Sequence, residues 1–263
     1  LEELQAELIA MPLQCGEETY VDDKTTPVEI FWQMLLDGVN IKTSLPSPDM
    51  FVQKFKAAKE AGDEVICILI ASKLSGTYQG AMLAKQIVDY DGIHVIDAGH
   101  AAASVAEKML VIAACRMRDQ GCTAEEIARR LEQLRGSVRL IACLDTLEYL
   151  AMGGRISKAA AAIGEMANIK PVITVNKEGK VDVIGKGLGI NRTLGFLQKK
   201  VEEAQIDEQY PIYSLFSYGE ENCGKMEQRL EKKGYQIQAR RQIGPAIGTH
   251  IGPEAFGICF CEK

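Results

Sequence analysis

The residues best suited to chemistry stand in one short stretch, Ala71-Ser72-Lys73-Leu74-Ser75-Gly76-Thr77-Tyr78-Gln79, where three hydroxyls surround a glycine. The stretch follows Val65 to Ala71, an apolar run rich in β-branched residues that reads as a strand buried on both faces. Ala81 to Ile87 favours helix, so the hydroxyls lie where a strand feeds a helix N-terminus. Backbone N–H groups at such a junction lack intrahelical partners and the macrodipole is positive, which suits an anion. Ser72, Ser75, Gly76 and Thr77 are therefore candidate anion-binding residues. Ser and Thr are equally favoured as plain helix caps, and both readings stand at this point.

Thr43, Arg155, Arg192 and His250 are further groups able to hold an anion. Thr43 opens the loop Thr43-Ser44-Leu45-Pro46-Ser47-Pro48, which its prolines keep out of a helix and which otherwise reads as a capping loop between helices. Arg155 follows Gly153-Gly154 and otherwise reads as a solvated loop cation. His250, among Gly248, Gly252 and Pro253, otherwise reads as a turn histidine. A Ser75–His250 pair would be a nucleophile with its base, the alternative of a serine-dependent hydrolase or acyl transferase. Catalytic signatures are otherwise absent: no Walker A sequence, no His-Glu-x-x-His, no Gly-x-Ser-x-Gly, and Gly185-Lys186-Gly187-Leu188-Gly189 reads as a flexible turn. No Cys-x-x-Cys occurs and His94, His100 and His250 are scattered, so neither a metal nor a cofactor is expected.

The elements that position these groups follow from periodicity. Leu1, Leu4 and Leu8 suggest the end of an amphipathic helix, Ile9 to Leu13 a strand, and Glu17 to Lys24 a turn. Val28 to Leu36 predicts a helix with Pro27 in its first turn and Thr25 or Thr26 as cap, then Asp49 to Ala61 a helix capped by Ser47. After the central strand come Ile93 to Asp97 as strand, with His94 a strand-edge residue, a helix to about Gln120 stopped by Gly121, and a helix from Thr123 to Leu134. This alternation reads as βαβ units on a mostly parallel sheet. Beyond Gly136 the pattern changes: strand Val138–Cys143, helix Ile156–Met166, a hairpin of 171–175 and 180–184 around Asn176 to Gly179, helix Asn191–Ala204, strand Tyr210–Phe216, helix Glu221–Lys233, and strands Ile237–Ile243 and Phe256–Cys261. The fold expected is α/β with two domains, 1–136 mostly parallel with helices and 137–263 α/β with a mixed or antiparallel sheet, the ligand lying between them.

With 263 residues and 47% hydrophobic content, a well-packed core is expected. The net charge of −6 and the lack of any basic run longer than a pair argue against nucleic acid. No apolar run approaches the roughly 20 residues of a membrane helix, and the acidic start has no secretory signal. Eight cysteines, several inside apolar runs, read as reduced and core-packed, which points to the cytoplasm.

The 71–79 stretch resembles the signature of the DegV family, bacterial proteins that bind fatty acids. Lys42 to Ser47, Leu147-Glu148-Tyr149-Leu150-Ala151-Met152-Gly153-Gly154-Arg155-Ile156-Ser157, Ile169-Lys170-Pro171 and Ile247-Gly248-Thr249-His250-Ile251-Gly252-Pro253 are similar to the family in the same order. The resemblance implies a non-catalytic protein that buries the acyl chain and presents the carboxylate to a partner, the fatty acid kinase, with a transient membrane contact allowed. It implies carboxylate contacts from Thr43, Ser75 and His250, and exposed partner-binding positions at Arg155 and Arg192. The family usually opens with a strand ending in Asp-Ser, which has no match here. Asp97-Ala98 stands where Asp-Ser is frequent, and Glu254 where Gly is.

Overall fold

A computed structural model describes residues 4–23, 25–157, 159 and 168–263. The first sheet is a small antiparallel one, β1 (Pro12–Cys15), β2 (Glu18–Val21) and, after helix α1 (Val28–Leu36), β3 (Ile41–Thr43), in the order β2-β1-β3. Five expectations fail here. Residues 4–8 carry no α-helix, and the first strand begins at Pro12 and not Ile9. The expected turn at 17–24 contains β2, whose residues are mostly exposed and so carry no apolar alternation to betray an edge strand. Thr43 ends β3, paired with Leu13, and is not in a helix-to-helix loop. Leu13, Cys15 and Ile41 point inward against Phe31 and Trp32 of α1, and this local core stabilises strands too short to stand alone. Neither Thr25 nor Thr26 caps α1: Thr25 is spent on Asp23, and Pro27 takes the cap position with no side-chain bond.

The βαβ pattern is observed as read. Helix α2 (Pro48–Ala61) precedes β4 (Val65–Leu69), then α3 (Thr77–Val88), β5 (Ile93–Asp97), α4 (Ser104–Asp119) and α5 (Ala124–Leu134). β4 and β5 pair in parallel, Val65 opposite Ile93 and Leu69 opposite Asp97. Phe51 and Phe55 of α2 pack with Ala81, Ala84 and Val88 of α3 on one side of the pair, while α4 and α5 cover the other. Thr123 caps α5 in a reciprocal box with Glu126, whereas Ser47 holds the cap position of α2 without a side-chain bond. His94 is a half-buried residue of β5.

The larger sheet comprises β6 (Val138–Cys143), β7 (Ile169–Val175), β8 (Val181–Leu188), β9 (Ile212–Phe216), β10 (Ile237–Gln242) and β11 (Phe256–Cys261), in the order β10-β9-β11-β6-β7-β8. Only β9 and β10 run parallel. Its helices are α6 (Glu148–Met152), α7 (Gly189–Glu203), α8 (Glu221–Glu231) and α9 (Pro245–Ile251). β11 is buried along its whole length because both faces are covered: Phe256, Ile258 and Phe260 meet α7 and α8, while Cys259 and Cys261 meet α4. Helix α4 thus packs on both β4 and β11, so one apolar layer joins the two sheets. Residues 185–188 are strand and not the expected flexible turn. A Cβ on Gly185 would meet the Phe196 ring at 2.2 Å, and one on Gly187 the Thr193 hydroxyl at 2.2 Å, so glycine is needed for α7 to lie on β8. The helix expected over 156–166 falls largely on 158 and 160–167, outside the described residues. All eight cysteines are free, and among the described residues no helix is long and apolar enough to cross a membrane.

Glu227 of α8 ties two strands to its helix. Its carboxylate accepts from Arg240 Nε at 2.9 Å and from Arg240 Nη2, and also from the hydroxyl of fully buried Ser214. The bond from Arg240 is the main reason its carboxyl is held below the usual range. A depressed carboxyl pKa contributes stability that is present above the unfolded value near ~4.3 and lost as pH falls through the folded one. Glu227→Gln should therefore lower stability by about 1–3 kcal/mol at pH 7, read as a denaturant midpoint, and the deficit should shrink as pH is taken below 4.

Candidate functional site

The hydroxyl-rich turn is built by the carboxyl ends of β4 and β5. Asp97 at the end of β5 accepts from the Ser72 N–H at 3.0 Å and the Gly99 N–H at 2.8 Å through one oxygen, while Ala71 N–H donates to the Ala102 carbonyl at 2.8 Å. These bonds pin the chain leaving β4 against the chain leaving β5. The turn closes when Leu74 and Ser75 both donate to the Ala71 carbonyl, and α3 then starts at Thr77. Gly76 occupies the cap position with no side-chain bond. Ser75 Oγ instead shares a 2.8 Å hydrogen bond with Thr77 Oγ1 and accepts from the Thr77 N–H at 3.3 Å, both side chains being buried. Three hydroxyls are thus not three caps: Ser75 and Thr77 form one buried pair at the helix start, and Ser72 takes part through its backbone.

The chain leaving β3 after Thr43 meets this turn, where a Leu45 methyl packs 3.1 Å from where a Gly76 Cβ would stand. Thr43 Oγ1 lies 3.0 Å from His250 Nε2. His250 is not a turn residue, as its glycine neighbours suggested, but belongs to α9, whose Gly248 lets Trp32 and Phe31 approach its backbone. Burial, and after it the charge of Arg155, lowers the imidazole pKa to about 4. The ring is neutral at pH 7, and its Nδ1 is buried with no hydrogen-bond partner.

Arg155 differs from expectation. It is half-buried and not exposed, with Nε donating to the Leu74 carbonyl at 3.0 Å and Nη1 to the Gly153 carbonyl at 2.5 Å. Burial lowers its pKa, and among the described residues no carboxylate pairs with it. The reason is local: the Gly153-Gly154 turn folds the guanidinium back towards the 72–77 turn. Thr43, His250, Arg155 and the Ser75–Thr77 pair therefore form one polar cluster. Arg192 does not join it; it is exposed near the start of α7, whose main packing partners are β6, β7, β8 and α8.

Leu74, Ile70 and Ile247, all half-buried, pack against buried Ala102, Ala103 and Val175 directly beside the polar groups. Leu74 adjoins Ser75, and Ile247 lies one turn before His250 on α9, so this apolar group continues the cluster inward. A cavity of about 390 Å³ between β1, α1 and the β10–α9 junction, walled by Leu13, Cys15, Phe31 and Ile243, includes none of the polar residues. No hydrogen bond joins Ser75 to His250, since Ser75 is bonded to Thr77 and His250 to Thr43. Asp97, Gly153 and the Leu74 carbonyl are site groups that the sequence reading does not assign; Asp97 at a strand end and the Gly-Gly-Arg run are the signals it carries for them.

The DegV family, described as "Uncharacterised protein, DegV family", matches residues 1–263. The chain belongs to the DegV family. A DegV domain-containing protein of Caldanaerobacter subterraneus subsp. tengcongensis is 32% identical over 259 residues, 97% of this chain and 91% of that one. A Thermus thermophilus DegV family protein described by its fatty acid binding is 28% identical, with a TM-score of 0.88 over 100% of this chain and 94% of that one. The Streptococcus pneumoniae Fatty Acid Kinase (Fak) B3 protein, loaded with linoleic acid, shares the fold at 21% identity and a TM-score of 0.83, over 97% of this chain and 90% of that one.

The state of His250 can be read in solution. A base whose folded pKa lies below its unfolded value near ~6.5 contributes stability present above that value and lost as pH falls toward 4. Ligand-free DegV chain should thus lose thermal stability between pH 6.5 and 4 more steeply than His250→Gln, and imidazole NMR should show His250 neutral at pH 5.5. A ring titrating near 6.5 would contradict the burial described here.

Proposed function

We propose that this DegV protein binds a long-chain fatty acid with its carboxylate at the Thr43–His250–Arg155–Ser75 cluster and its chain along Ile70, Leu74, Ala102, Ala103, Val175 and Ile247. The observation that carries this is the half-buried guanidinium of Arg155, without a carboxylate beside it among the described residues, bonded to the Leu74 carbonyl next to Ser75 and close enough to His250 to lower its pKa. The imidazole adds direction. A proton on Nδ1 would leave a buried donor unbonded at a cost of about 1–3 kcal/mol, so it is assigned to Nε2, donating to Thr43 Oγ1. The Thr43 hydroxyl proton is then available to a carboxylate oxygen, and the Ser75–Thr77 pair, with two protons for one mutual bond, supplies another. Each methylene buried beyond the head group contributes about 0.8 kcal/mol, enough over a long chain to offset desolvation of the carboxylate.

The binding of fatty acids by the Thermus relative supports the ligand class. The finer reading, that the carboxylate is presented to a fatty acid kinase and the chain itself catalyses nothing, is supported by the family resemblance and by an exposed Arg192 remote from the head-group cluster. Rim charges act mainly on association with a partner.

Native mass spectrometry after gentle purification should show a co-purified fatty acid; a protein that carries none and takes none up on titration refutes the proposal. Ser75→Ala and Arg155→Ala should each weaken fatty acid binding, Ser75→Ala by roughly 1.5–3 kcal/mol. Arg192→Ala should leave that affinity unchanged and slow kinase-coupled phosphorylation. Separately, Ala103→Leu should discriminate by chain length, weakening palmitate far more than a short-chain acid because the head group is untouched; equal losses would place the chain elsewhere.

A further inference from the structure

The two glycines before Arg155 are required for different reasons. Gly154 has φ +72, a conformation in which side chains are strained. Gly153 has φ −74 and ψ −9, which any residue adopts, so its backbone does not call for glycine. Space does. A Cβ at 153 would stand 2.2 Å from His250 Nδ1 and 2.8 Å from its Cε1, where real Cβ atoms are essentially never found below 3.0 Å. The two helices that carry these residues are closely packed: α6 and α9 are in contact, and a Cβ at Gly252 would meet the Tyr149 ring at 2.5 Å.

We propose that Gly153 is a positioning residue for the head-group site: its missing side chain sets where the His250 imidazole lies, and so whether Nε2 reaches Thr43. The same residue's carbonyl holds Arg155 Nη1, so one short segment places both the neutral ring and the site's positive charge. The buried, unbonded Nδ1 is the ring atom that lies against position 153. The inference rests on the fatty-acid reading of the cluster, and the test keeps the two separate.

The experiment compares Gly153→Ala, His250→Ala and the double variant by palmitate titration, thermal midpoint and imidazole NMR. Gly153→Ala should lower palmitate affinity about tenfold or more, as expected for loss of a hydrogen bond in a charged site, and should shift the Nε2 proton resonance away from its Thr43-bonded position. In the His250→Ala background the same substitution should cost no further affinity and no further thermal stability, because the ring it displaces is gone. Wild-type affinity and an unmoved resonance in Gly153→Ala, or an equal penalty with and without the ring, overturns the proposal. If His250→Ala itself binds palmitate as the wild type does, the head-group reading fails, and the thermal midpoints alone then decide whether Gly153 makes room for the ring.

Discussion

A guanidinium taken partly out of water loses hydration that must be replaced, and Arg155 replaces it with two backbone carbonyls and no carboxylate among the described residues. Carbonyl dipoles accept from two of its N–H groups without cancelling its charge, so a positive centre is left at the junction of the two sheets. The arrangement around it follows from that charge. The Leu74 carbonyl can accept from Arg155 only because the 72–77 turn is tied down by Asp97, and the Gly153 carbonyl is directed at it by the left-handed turn at Gly154. His250, within range of the charge, is kept neutral chiefly by burial and further by Arg155 itself.

The architecture explains how groups more than 200 residues apart meet here. Thr43 and His250 are 207 residues apart in the chain, a separation that the packing of α9 against β3 and α1 closes. Helix α4, shared between β4 and β11, holds the two sheets in one relation, and the loops after β4 and β5 and after α6 therefore face each other across the cluster. This agrees with the general placement of ligands at the carboxyl ends of strands in α/β sheets. The hydroxyl turn is at such an end, while Thr43 and His250 approach it from outside the parallel pair.

Most of the fold beyond residue 48 was legible because each element there buries an apolar face with its own period, as in Phe51 and Phe55 of α2 or Phe256, Ile258 and Phe260 of β11. The opening sheet was not, since β2 is exposed and polar and β3 has three residues, too few to show alternation. Gly185 and Gly187 misled for a different reason: glycine marks both loose turns and close packing, and only the positions of Phe196 and Thr193 distinguish them. In the site, residue types were readable and roles were not. Arg155 looked like a solvated cation because its partners are carbonyls, which every residue has and no sequence pattern marks. Asp97 was visible at a strand end, but that it bonds two N–H groups follows from how the loops after β4 and β5 run, a tertiary fact.

The neutrality of His250 bears on which anion the cluster suits. Were the ring protonated at pH 7, two positive groups would face the ligand and a doubly charged head group would be matched best. With a pKa lowered to about 4, the ring contributes no charge, and among the described residues of the cluster Arg155 carries the positive charge. A carboxylate supplies one negative charge and two acceptor oxygens, which corresponds to one guanidinium and the hydroxyl protons of Thr43 and the Ser75–Thr77 pair. On the proposed reading, burial of the imidazole therefore does more than shape the pocket: with the ring uncharged and its proton assigned to Nε2, Thr43 would be a donor and the site would be balanced for a monoanion attached to an apolar chain.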